Sequence, residues 1–92
     1  VRDISSDPYR LAQHAIADLK AAVVSVLREG PPTGLRNADV GRSLGIYSGH
    51  VGHEGHISRT LLSMLENEGV VQQDQESKLW RLIGLNEPGE DD

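Results

Sequence analysis

The feature that most limits how this chain can fold is a change in the period of its apolar residues. Leu11, Ile16, Leu19, Val23, Val26 and Leu27 recur mostly at three- and four-residue spacing, and Ile57, Leu61, Met64 and Leu65 stand at i, i+4, i+7 and i+8. Both patterns are single stripes on α-helices. After Gly69 the helical period stops: Val70 and Val71 are followed by the polar run QQDQES, and in KLWRLI, Trp80 and Leu82 share one side while Lys78 and Arg81 point elsewhere. That pattern predicts a β-hairpin. Two strands are too few to stand alone, so the Val and Trp side of the hairpin must lie on the helices.

Local signals place the boundaries. Asp7 can cap the first free amides of a helix and Pro8 suits its first position, while Gly30, Pro31 and Pro32 stop it, giving a helix over 8–29. In TGLRNADVGRSLGI, Asn37 can cap a short second helix, Ala38, Val40 and Leu44 can face inward, and Gly45 suits a left-handed end. Gly41 inside that helix weakens it by about 1 kcal/mol relative to Ala, so its missing side chain points to close helix packing. Residues 47–55, YSGHVGHEG, have no usable period and read as a connection. The third helix starts at His56 and ends at Gly69. The predicted class is α+β, mainly α: three helices followed by a hairpin over 8–84, with tails at 1–7 and an acidic, disordered one at 85–92.

A chain of 92 residues supports one domain and no cleft between two. With no Phe, one Trp and two Tyr, its core must come from Leu, Ile, Val and Ala. The absence of Cys removes disulfides, thiolate zinc sites and a cysteine nucleophile, and favours a cytoplasmic location. No apolar run approaches the roughly 18 residues of a membrane span, so no membrane partner is expected. Because the chain begins at Val1 without a Met, it is read as one module of a larger protein.

The net charge of −5 opposes binding to nucleic acid by the whole surface. Asp3, Asp7, Glu87, Glu90, Asp91 and Asp92 lie in the predicted tails, however, and the acids that remain balance the bases apart from Arg2. A balanced domain can still carry one basic face.

The segments LRNADVGRSLGI at 35–46, ISRTLLSMLENEGVV at 57–71 and KLWRLI at 78–83 resemble the winged helix-turn-helix family. The passage LENEGVV is similar to that family's transition from recognition helix to wing. Within the family the chain is similar to modules appended to larger bacterial proteins, including those at the ends of some restriction endonucleases that read modified DNA. The resemblance implies a double-stranded DNA partner and a role in transcription regulation or DNA processing. It also implies that the third helix enters the major groove with its exposed N-terminal half and that the hairpin tip or flank touches a neighbouring phosphate or the minor groove. Carried onto this sequence, the contacts fall on Ser58, Arg59, Thr60 and Ser63 of the third helix and on Lys78 of the wing. Arg36 and Arg42 flank the second helix, which in the family crosses the DNA backbone. Two features depart from the pattern. Asp74 and Glu76 occupy the wing tip where bases are usual, and the connection before the third helix is longer and richer in Gly and His.

The residues themselves leave other readings open. Arg59 can hold guanine or a phosphate, or can pair with Glu66 or Glu54. His50, His53 and His56 with Glu54 have metal-binding chemistry, but a zinc-protease helix needs two His four apart, and here His53 and His56 are three apart beside a glycine. No metal or other cofactor is therefore expected. His53 and His56, with the glycine amides, are instead assigned to the DNA-facing end of the third helix, where His can gain charge near phosphates. No serine elbow or phosphate-binding glycine loop is present, so no catalytic residue is assigned and the chain is not expected to be an enzyme. Trp80 in its W-x-L strand is assigned to the core rather than to base stacking. A protein-interaction module without DNA binding is the rival reading, with the long first helix as a surface for a partner or a second copy.

Overall fold

The computed structural model describes residues 7–48 and 54–84. Three helices, α1 (Pro8–Glu29), α2 (Asn37–Ser43) and α3 (His56–Asn67), precede strands β1 (Val71–Gln73) and β2 (Trp80–Leu82). The architecture is mainly helical α+β, in the winged-helix order of helices followed by a hairpin. Residues 1–6 and the tail at 85–92 lie outside the described residues.

Asp7 starts α1 as expected. Its carboxylate accepts from the Arg10 amide at 3.2 Å, and Pro8 occupies the first turn, where a missing N–H costs nothing. Asp7 thus belongs to the folded unit rather than to a tail. Of the apolar stripe on α1, Val23 and Leu27 are buried, Ile16, Leu19 and Val26 pack at the core's edge, and Leu11 is 47% exposed. The stripe outruns the core by about two turns because α2, α3 and the hairpin gather at the C-terminal half of α1.

The core joins Val23 and Leu27 of α1 to Val40 of α2, Leu61, Leu62 and Leu65 of α3, Val71 of β1 and Trp80 of β2. Trp80 is a core residue, as its strand pattern predicts. In the antiparallel register Val71 faces Leu82, Gln72 faces Arg81 and Gln73 faces Trp80, so alternate pairs point into the helices. A further backbone contact was not foreseen. Leu35, between α1 and α2, exchanges two hydrogen bonds with Trp80, at 2.9 and 2.7 Å, forming an isolated bridge on the far side of β2. One paired residue leaves no alternation to read, so sequence periodicity cannot reveal it. The bridge ties the hairpin to the start of α2. No helix among the described residues is long and apolar enough to cross a membrane.

Candidate nucleic-acid interface

The orientation of α3 is fixed by a polar cluster against α2. Gly55 precedes α3 with a left-handed backbone, φ 81°, and a Cβ there would fall 2.6 Å from the Tyr47 ring and 2.7 Å from Asn37 Nδ2. The Gly55 carbonyl accepts from Asn37 Nδ2 at 3.1 Å and from the Arg59 amide at 3.0 Å. The Ser58 hydroxyl lies 2.8 Å from Asn37 Oδ1 and 3.1 Å from the same carbonyl, and shares its proton between them. Close approach of the two helices is possible because Gly41 has no side chain: a Cβ would sit 2.8 Å from Ser58 Oγ. This is the packing role that its position inside α2 predicts.

Two expectations are corrected by this cluster. Ser58 is fully buried, so it cannot be a surface contact of α3. The buried stripe of α3 is Ser58, Leu61, Leu62 and Leu65, whereas Ile57 is 37% exposed. A serine on the apolar stripe interrupts the hydrophobic signal, so the inward face reads as though it began at Ile57. Asn37 does not cap α2 either. Arg36 takes the cap position, with its amide donating to Asp39 Oδ2 at 3.2 Å, and the Asn37 side chain turns to α3.

The exposed side of α3 divides in two. Arg59, Ser63 and Glu66, at i, i+4 and i+7, face α2 and the hairpin, lining the same concavity. His56 and Thr60 lie toward α1, beside a shallow apolar depression formed with Ile16, Leu19, Ile57, Leu61 and Met64. The Thr60 hydroxyl donates back to the His56 carbonyl at 2.8 Å, a local bond that leaves its oxygen able only to accept.

The hairpin turn is held by its acid. Asp74 Oδ2 accepts from the Ser77 amide at 2.7 Å and from the Glu76 amide at 3.1 Å, while the Asp74 carbonyl accepts from the Lys78 amide at 2.8 Å. Hydrogen bonds from Ser77, backbone first and then side chain, hold the Asp74 carboxyl below its ordinary value, with smaller help from the Glu76 amide and Arg81. Asp74 is therefore a turn-forming residue, which accounts for an acid at a wing tip. Lys78 leaves the turn with φ 67°, a left-handed conformation uncommon for a side-chain-bearing residue.

Between α2, α3 and the hairpin lies an open concavity of about 600 Å³. Arg36 reaches it from the start of α2, Arg59 from α3 and Lys78 from the turn, with the hydroxyls of Ser63 and Ser77 and the carboxylate of Glu66 between them. All three cations are exposed, and among the described residues none of them forms an ion pair. The pairing of Arg59 with Glu66, which the sequence left open, is not formed. Three cations from separate elements and one carboxylate line the concavity, which therefore carries an excess of positive charge.

The remaining candidates go elsewhere. Arg42 lies outside the concavity, with its guanidinium carbon 4.5 Å from the centroid of the Tyr47 ring, a cation–π contact that also braces Tyr47 against Gly41 and Gly55. His53 and His50 lie outside the described residues, so of the three histidines only His56 has a described position. Gln73 and Ser77 line the concavity without having been singled out from sequence, and Glu66, named there only as a partner for Arg59, lines it as well. The signal for Glu66 was present, since it stands seven residues from Arg59 on one helical face; Gln73 and Ser77 needed the hairpin register and turn. No family model, curated protein or solved structure matches this chain.

Proposed function

We propose that this chain is a double-stranded DNA-binding module of the winged-helix type, serving a larger regulatory or DNA-processing protein. In this reading the exposed face of α3 lies in the major groove with Arg59 on base edges, and Arg36 and Lys78 hold phosphates on either side. Helix α2 and the hairpin flank α3, which is the arrangement such docking needs. The observation that carries the proposal is the convergence of Arg36, Arg59 and Lys78 on one concavity in a chain whose net charge is −5. An acidic protein with one cleft in which cations outnumber carboxylates directs a polyanion to that face.

Salt-dependent anisotropy titrations with labelled duplexes test it. Arg36→Ala and Lys78→Ala should each reduce the slope of log K against log salt by about 1, as loss of one phosphate contact requires. Arg59→Ala should weaken binding by about 1–3 kcal/mol and relax base preference. Absence of binding at low salt, or an Arg59→Ala protein that binds as tightly as the parent, would sink the proposal.

A second reading, a protein-interaction module, is favoured by a different observation. Tyr9 is 75% exposed and Leu11 47% exposed on the overhanging end of α1, and further along the same helix Ile16 and Leu19 line the apolar depression beside Ile57 and Met64. Concentration-dependent sedimentation, with an amide spectrum unchanged by DNA, would favour this reading over the first.

A further inference from the structure

Among the described residues, Glu66 is the one acid lining a concavity that otherwise presents Arg36, Arg59 and Lys78. Its neighbour Glu68 is held by Lys20 of α1, whereas among the described residues Glu66 forms no ion pair. A carboxylate placed against a polyanion lowers affinity unless it meets a hydrogen-bond donor. On the proposed DNA-binding reading, which this step rests on, the major groove offers two such donors, the N4 amino group of cytosine and the N6 amino group of adenine. Adenine sets its N7 acceptor beside the amino group, where it would face the second carboxylate oxygen. Cytosine has only a C–H there.

We infer that Glu66 is a specificity-determining residue, accepting a hydrogen bond from the N4 amino group of a cytosine. Arg59 and Glu66 are seven residues apart on the same exposed face of α3, about 10 Å along the helix axis. With α3 lying along the groove, whose path runs obliquely to the duplex axis, that separation spans about two base-pair steps, as for a recognition helix whose residues two turns apart reach three successive bases. Arg59 offers two donors to O6 and N7 of guanine, so the preferred site carries a guanine and a cytosine about two pairs apart. Ser63 stands between them, and its hydroxyl can donate or accept.

The test is selection from random duplexes with the full chain, followed by anisotropy on the selected duplex and on a variant with thymine in place of the cytosine. The selected sites should contain the guanine and the cytosine, and the thymine duplex, which turns the O4 acceptor toward the carboxylate, should bind roughly tenfold more weakly. Glu66→Gln should bind both duplexes more tightly and reduce their ratio to about twofold, because an amide can accept from cytosine or donate to thymine. If Glu66→Gln tightens both duplexes while leaving the ratio unchanged, Glu66 merely repels phosphate and the inference is overturned. Selection of adenine at that position overturns it as well. If the parent chain binds no duplex at low salt, the DNA-binding reading itself fails and the assignment falls with it.

Discussion

Ser58 has little bulk and no charge, yet it decides how two helices meet. Buried beside Gly41, its hydroxyl is within 2.8 Å of Asn37 Oδ1, and the Asn37 amide group in turn reaches the carbonyl before α3. Ser58→Ala leaves the Asn37 oxygen with no donor in a part-buried site, an omission that costs about 1–3 kcal/mol. Urea denaturation should show that loss. Combining it with Asn37→Ala should cost less than the two single changes added together, because the second removes the group that the first strands. Additive losses would show that the two side chains do not act as a unit. Arg59 illustrates the opposite case: its surroundings could be guessed from spacing, but whether Glu66 neutralises it depended on side-chain directions that spacing leaves undetermined.

Among the elements, the hairpin turn is the one whose chemistry changes most between sequence and structure. Read as a string, Asp74 and Glu76 place negative charge at a tip expected to meet phosphate. Folded, the Asp74 carboxylate accepts two amide hydrogen bonds that shape the turn and set Lys78 at the edge of the concavity. A carboxyl held below its ordinary value of 3.8 stabilises the fold above that value, and the contribution disappears as pH falls through the lower folded-state value. Acidification below pH 3.8 should therefore lower the protection of the Ser77 and Glu76 amides, measured by NMR as their exchange rate relative to that of an unstructured chain at the same pH. In Asp74→Asn this pH step should be absent, since an amide oxygen accepts at all pH values. Persistence of the step in that variant would assign it to another group. The short helix α2 behaves similarly at its start, where Asp39 rather than Asn37 meets the cap amide.

At the scale of the whole molecule, α1 is longer than the body it packs on. Only its C-terminal half contributes buried residues, Val23 and Leu27, and its first turns expose Tyr9 and Leu11. A helix end without tertiary cover is marginal in water, since nucleation is costly and short helices gain little from propensity alone. Hydrogen exchange on the isolated chain should thus show amides near residues 11–15 exchanging much faster than those near Val23 and Leu27, which open only with the core. Equal protection along α1 in dilute solution would mean that the overhang is covered, and sedimentation would then identify self-association.

The sequence by itself determined the type and order of the elements, because apolar periodicity, Asp7–Pro8 and the glycines at helix ends are local signals that a chain of this length has few ways to satisfy. It determined that Trp80 is core and that Gly41 marks a close approach. Tertiary structure alone decided which face of α3 is buried, that Leu35 pairs with Trp80, and that Arg36, Arg59 and Lys78 meet in one concavity while Arg42 stacks on Tyr47. These outcomes depend on contacts between residues far apart in the chain. Such contacts follow from how helices of given length pack around a small core, and a polar residue such as Ser58 on a buried stripe gives no periodic warning of where it will lie.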